Sequence, residues 1–213
     1  MKRIGFFASI VGLGLFASMP SLAAAQATPP AASGALNHAE VGVYGDYLRY
    51  EPNTSQIDFV GVGGRLGINM SPHLALEGEI NYDFARNYTN TYTTGTSSTT
   101  TTTFVTTRLR PLTGLFGPKL QFGTSGPLRA FVTGKLGFIN FTESNPNNVS
   151  TGTFSSAVSG VGGPGTHLAF YPGGGLEAFA GPFGLRAEVG DEIYLDNGTY
   201  NNLRVTFGPT LRF

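Results

Sequence analysis

Three histidines, His38, His73 and His167, are the side chains best suited to acid–base chemistry near neutrality, and the chain has no cysteine. Nucleophilic catalysis would need a serine, one of these histidines and an orienting acid within hydrogen-bond reach. Ser155, Ser156 and Ser159 lie ahead of His167 and could approach it; the plainer reading of His167 is a solvated residue at a strand rim. No His/Asp/Glu spacing matches a metal site. The glycine-rich stretches 160–165 and 173–175 precede no helical pattern, so neither is a phosphate loop. The first reads as a flexible loop and the second as a place where strands approach closely. A second set of side chains offers electrostatics instead: Arg65, Glu77, Glu79, Lys119, Arg129, Lys135, Glu177, Arg186, Glu188, Glu192 and Arg204. Where these repeat they do so two residues apart, which puts them on one face of a strand. The expectation is therefore no catalytic residue, no cofactor and no metal, but a polar network.

The elements that must position this set have a period of two. In 74–84, Leu74, Leu76, Gly78, Ile80, Tyr82 and Phe84 alternate with Ala75, Glu77, Glu79, Asn81 and Asp83. In the last segment Leu203, Val205, Phe207, Pro209, Leu211 and Phe213 alternate with Arg204, Thr206, Gly208, Thr210 and Arg212. Read the same way, strands fall at 39–50, 57–69, 74–84, within 104–122, and at 128–141, 166–179, 183–194 and 202–213, giving about eight. The connections 70–73, 123–127 and 180–182 are short; 51–56, 85–103, 142–165 and 195–201 are longer and polar. Short turns alternating with long loops suit an up-and-down transmembrane barrel with both termini on the periplasmic side.

Composition separates this reading from others. Charged residues make up only 12% of the 213 residues, and Lys+Arg and Asp+Glu are equal at 13 each. That balance excludes a strongly basic nucleic-acid binder. The lack of cysteine excludes disulfides and thiolate metal sites. Residues 1–27 have the form of a cleaved secretory signal: Lys2 and Arg3, an apolar run to Met19, then Ala25 and Ala27 as cleavage sites. Residues 28–37 read as a Pro/Ala linker and 38–213 as the barrel.

Alternation alone fits either a soluble lipocalin-like carrier barrel or a membrane barrel with its faces inverted. The polar face decides for the membrane. It mixes glycine with isolated charges, and its acids (Glu40, Asp46, Glu77, Glu79, Asp83, Glu177, Glu188, Glu192) nearly balance its bases (Arg65, Lys119, Arg129, Lys135, Arg186, Arg204, Arg212). An enclosed polar interior must neutralise itself. The opposite face carries no charge, as lipid requires. A membrane-spanning sheet must also close, because open edges leave backbone groups unsatisfied. The fold class is thus all-β, a closed up-and-down antiparallel transmembrane β-barrel of about eight strands, its lumen filled by side chains.

Aromatic girdles are expected, with Tyr44, Tyr47, Tyr50, Tyr82, Phe84, Phe138, Phe141, Phe170, Tyr171 and Tyr194 near the outer ends and Phe122, Phe179, Phe183 and Phe213 near the inner ends. The Thr-rich run 89–107, with uninterrupted threonine from Thr99 to Thr103, reads as a hairpin extending two strands above the membrane; an adhesive loop is the functional alternative.

With a signal peptide, amphipathic strands and a terminal Phe213, the chain resembles the bacterial outer-membrane β-barrels of the OmpA-like transmembrane and OmpX type. The resemblance covers about 39–213, most clearly at 203–213 (LRVTFGPTLRF) and in the turn and strand start 69–77 (NMSPHLALE). It implies location in the outer membrane, contact with its lipids, and recognition of the last strand by the barrel-assembly machinery through Phe213, with Phe207 and Leu211 in support. No peptidoglycan-binding segment follows the barrel pattern, so cell-wall anchoring is not carried over. The expected function is structural or surface-interacting, in a non-enzymatic monomer with a plugged lumen and an extracellular ligand, if any, at the loops. The alternatives are a narrow conduit for ions or small apolar solutes, a lipid-modifying enzyme and the soluble periplasmic carrier.

Overall fold

A computed structural model describes residues 38–50, 57–96, 99–123, 125–144, 165–196 and 198–213, with 88–107 described for backbone alone. The expected signal and linker, Ser155, Ser156, Ser159 and the 160–164 glycines lie outside these residues. The strands are β1 (Ala39–Tyr50), β2 (Ile57–Asn69), β3 (Leu74–Asp83), β4 (Arg86–Thr96), β5 (Thr99–Phe122) and β6 (Leu128–Ser144). They continue with β7 (Gly165–Ala180), β8 (Phe183–Asp191), β9 (Ile193–Leu195), β10 (Thr199–Tyr200) and β11 (Leu203–Arg212).

Every pairing is antiparallel, and the wall is an eight-stranded barrel in the order β1, β2, β3, β5, β6, β7, β8, β11. Closure is made by the first and last strands, in register from Glu40↔Arg212 to Arg49↔Leu203. No edge of the wall is left to lipid, which is the condition for a sheet to cross a membrane.

Two hairpins extend the wall at the outer end. β4 and β5 pair from Arg86↔Leu109 to Thr96↔Thr99, so the Thr-rich segment is a hairpin continuing the third and fourth wall strands. β9 continues β8 beyond a break at Glu192, pairs with β7 and then with β10. The expected seventh strand is therefore interrupted, and part of the loop expected at 195–201 is a short hairpin. The break has a local cause: the Glu192 backbone N–H donates to Asn202 O at 2.8 Å, and the Asn202 amide donates to Glu192 O. The other ends of the strands carry tight turns, with Gly123 (φ 75°) and Gly181 (φ 64°) in the left-handed region that favours glycine.

The two faces separate cleanly. Val43, Leu66, Ile80, Phe116, Leu136, Leu185 and Phe207 point outward and are all more than half exposed. Glu77, Lys119, Lys135, Glu177 and Arg204 point inward and are buried to 1% exposure or less. An apolar exterior around a charged interior is the inverse of a soluble carrier barrel, which that reading does not survive.

Parity also corrects the girdles. Tyr82, Phe84, Phe138 and Phe170 stand outward at the outer end, and Phe122, Phe183 and Phe213 outward at the inner end. Tyr44, Tyr50, Phe141, Tyr171 and Tyr194 are buried in the lumen. Phe179 is also turned inward, where Arg212 and Arg129 lie over its ring. The reason is visible in the chain: Tyr44 shares its parity with Asp46, and Tyr171 with Glu177, so each ring faces the side its acid faces.

Candidate functional site

The interior is built in layers. Nearest the short turns, Lys119 Nζ lies 3.0 Å from Glu40 and 2.9 Å from Glu177, and Arg212 pairs with Glu40. Asn69 donates to Glu40 at 3.1 Å, and Gln121 donates to Asn69 at 3.1 Å. Above this, Arg186 is the central cation. It forks onto Glu77, with Nη2 to Oε2 at 2.9 Å, and reaches Glu177 at 3.0 Å and Glu188 at 2.6 Å. Lys119 also reaches Glu77, at 2.8 Å.

The next layer alternates charge again. Lys135 Nζ binds Glu79 at 2.7 Å and Glu188 at 3.1 Å, and Arg65 binds Glu79 at 3.2 Å and Glu188 at 2.9 Å. Arg204 is fully buried and holds Asp46 at 2.8 Å, Glu79 at 2.9 Å and Glu192 at 3.3 Å. Each cation of the lattice has more than one acid, whereas Asp46 and Glu192 have Arg204 as their one ion-pair partner among the described residues. Asp83 is the exception among the buried acids: it takes a hydrogen bond from Asn81 at 3.0 Å and has no cation within ion-pair distance among the described residues. Asn81 bridges it to Asp46, donating to that carboxylate at 2.7 Å.

Rings and glycines complete the packing. Arg186 stacks on Phe131 with its guanidinium carbon 4.0 Å from the ring centre, and Arg65 on Tyr44 at 4.7 Å. Lys135 and Arg204 each lie 5.4 Å from the centre of the Tyr171 ring. Such contacts compensate part of the lost hydration. The rings fit because glycine faces them: a Cβ on Gly175 would stand 2.8 Å from Phe131 Cζ, and one on Gly173 2.8 Å from Tyr171 Cε1. The 173–175 stretch thus makes room for the rings that cover the cations.

Above the ionic layers the lumen turns apolar. Leu48, Tyr50, Phe59, Leu109, Ile139, Phe141, Ala169, Tyr171 and Tyr194 form one buried cluster. Tyr50 packs on Phe141 at 5.1 Å and stacks on Tyr194 at 6.0 Å, and the Tyr194 hydroxyl donates to that of Tyr50 at 2.9 Å.

The expected network residues therefore meet, with one correction. Arg129 shares the parity of Lys135 and faces Glu177 in register, yet it makes no ion pair among the described residues. It sits at the inner mouth over Phe179, where Arg212 competes for the same acids. The sequence reading missed the inward rings Tyr44 and Tyr171, which it assigned to the outer girdle, and the amides that relay between acids. Their signal was parity with a charged residue two positions away.

The histidines do not gather with a nucleophile among the described residues. His73 Nδ1 is 3.1 Å from Gln121 O in a short turn. His167 packs against Phe141 and Tyr194, with Asp196 3.9 Å away. Phe213 is exposed at the inner end, and its backbone N–H and carbonyl pair with Ala39. Phe207 and Leu211 lie on the outward face of β11, opposite Gly45 and Val41.

Residues 9–210 match the family model of the outer membrane protein beta-barrel domain. The chain belongs to this family. It is an integral β-barrel of the outer membrane. Among solved structures it is similar to Neisserial surface protein A, at 9% identity over 83% of this chain and 97% of that one, with a TM-score of 0.58. It is also similar to Ail, the attachment invasion locus protein of Yersinia pestis, at 10% identity over 82% of this chain and 96% of that one, with a TM-score of 0.51. At such identity these likenesses concern the fold alone. No curated protein matches the chain in sequence.

Proposed function

We propose that this barrel is a plugged, non-enzymatic scaffold whose work is done at its outer rim and loops. The observation that carries this reading is the doubly sealed lumen, an ionic lattice centred on Arg186 and Arg204 beneath an apolar cluster centred on Tyr50 and Tyr194. On that view the two packed layers together close the axis to water and ions. In this reading residues 1–27 are a cleaved export signal and 28–37 a linker, the chain acts as a monomer, and any extracellular ligand meets the outer hairpins. Phe213, with Phe207 and Leu211, is the assembly signal, as the outward display of all three supports. Planar-bilayer recording of the purified protein tests the seal. No current steps above background are expected; regular steps would overturn the reading.

A second reading, a conduit for small apolar solutes, has its own observation. The outer face of β1–β3 carries a furrow of about 690 Å³ lined by Val43, Gly45, Val62, Gly63, Gly64, Ile80 and Leu112, with the lumen residue Tyr44 showing in its floor. Glycine thins the wall there, and a lateral opening would pass through it. Uptake of an apolar dye by vesicles carrying the barrel, abolished by Gly64→Leu, is the result that reading requires.

A further inference from the structure

The outer rim carries a polar patch that the lumen does not explain. Arg108 and Arg110 lie two residues apart on β5 and point away from the barrel axis, on the parity of Leu112 and Phe116. Their cross-strand partners on β6 are hydroxyl residues, Arg108↔Ser144 and Arg110↔Thr142. Together with Ala85 these four side chains line a hollow of about 250 Å³. Neither arginine makes an ion pair among the described residues, in contrast to every cation of the lattice. The nearby rim acid, Asp58, is engaged by the Tyr47 hydroxyl at 2.9 Å and by Arg49 at 3.6 Å. Two guanidiniums bring two fixed positive charges, with the Ser144 hydroxyl beside them and the Thr142 hydroxyl, which donates to Asn140 Oδ1 at 3.3 Å, at the edge, a set that suits a phosphate group.

Depth selects the source of that phosphate. Arg110 stands one outward position above Leu112, where the apolar run of outward positions from Phe122 to Leu112 ends. At a rise of about 3.4 Å per residue and a tilt of about 45° Arg110 is about 5 Å above Leu112, which with the hydrocarbon edge taken at Leu112 lies within the headgroup layer. The patch also continues into the furrow. Arg110 donates to the Tyr82 hydroxyl at 3.2 Å, its guanidinium lies 5.4 Å from the Tyr82 ring centre, and Tyr82 and Leu112 line the furrow's upper end. A phosphate held by the arginines would place an attached acyl chain along the glycine-thinned wall.

We propose that Arg108 and Arg110, with Thr142 and Ser144, form a binding site for a phosphate-bearing lipid of the outer leaflet, its acyl chain lying in the furrow over Gly45 and Gly64. The site is on the lipid face and is independent of whether the lumen conducts.

The test uses full-length folded protein in micelles, native mass spectrometry as the readout, and lipid A, dephosphorylated lipid A and inorganic phosphate as probes. Wild type should retain one lipid A, and Arg108→Gln/Arg110→Gln should bind it roughly 30-fold more weakly, at about one charge-equivalent of surface attraction per arginine. Arg110→Gln alone should lose about fivefold. Arg49→Gln, which removes a rim cation elsewhere, should bind as wild type, and dephosphorylated lipid A should bind wild type as weakly as lipid A binds the double variant. A cold-SDS gel checks that each variant is folded; should the double variant fail there, the single variant decides. Equal retention by wild type and variants overturns the proposal. So does displacement of lipid A by an equal concentration of inorganic phosphate, which would mean a soluble anion site, or arginine-dependent capture of a sulfated polysaccharide with no binding of lipid A.

Discussion

Arg204 is the cation whose removal the lattice can least repair. It holds Asp46, Glu79 and Glu192 from the centre of the lumen with no solvent exposure. In Arg204→Met, Glu79 keeps Lys135 at 2.7 Å and Arg65 at 3.2 Å and stays compensated. Among the described residues Asp46 keeps the Asn81 amide at 2.7 Å and Glu192 the Thr113 hydroxyl at 2.8 Å, and neither keeps a cation. Stranding buried charge in this way costs about 3–5 kcal/mol. Removing Asp46 as well, in Asp46→Asn/Arg204→Met, should recover about 2–3 kcal/mol of that loss, because one of the two stranded charges is gone while Glu192 stays stranded. Arg65→Met is the comparison: Glu188 retains Arg186 at 2.6 Å and Lys135 at 3.1 Å, so both of its principal acids stay paired and the loss should be clearly smaller. Urea unfolding of the barrel in micelles measures five proteins: the wild type, these three variants and Asp46→Asn alone, which closes the double-mutant cycle. If Arg204→Met costs no more than Arg65→Met, and the Asp46 and Arg204 losses simply add, the lattice is not a coupled network and the reasoning fails.

Other consequences can be checked alongside. Protein from the membrane pellet should resist SDS in the cold and change mobility on boiling; a soluble periplasmic species with no shift would contradict the barrel's placement. Ile80→Arg, on the lipid face, should cost about 2–4 kcal/mol in vesicle refolding, whereas a loss near zero would mean that this face is not in hydrocarbon. Tyr50→Ala, which hollows the upper cluster, should lower stability by about 3–5 kcal/mol while leaving the bilayer current silent, since the ionic layer remains. Gly175→Leu should fail the cold-SDS test because its side chain meets Phe131 and the β8 backbone, while Gly45→Ala, whose nearest neighbour would be 3.9 Å away, should fold. Asp83→Asn should be at least as stable as wild type, because that acid has no cation to lose.

The period of two sufficed to place most strands, to within a residue or two for β1, β2, β3 and β11, and to divide charged from apolar faces. It did so because side-chain direction in a strand is a local property fixed by the pleat. The need for charge neutrality inside a closed wall made the membrane reading legible as well. Which acid meets which base was not legible. Lys135 on β6 reaches Glu79 on β3 and Glu188 on β8, strands that are not its neighbours in the wall, so these contacts exist only once the sheet has curled and closed. Closure likewise left Arg129 outside the lattice despite its parity, since height along the axis, not face, decided its partners. The inward aromatics were misplaced because aromatic residues suit strands on either face. The glycines beside them opened the volume that their rings fill, Gly173 two residues from Tyr171 on the same strand and Gly175 paired with Phe131 on the next. Alternation thus determined what faces inward, and the tertiary structure decided who meets whom, because those contacts cross a space that no single strand encloses.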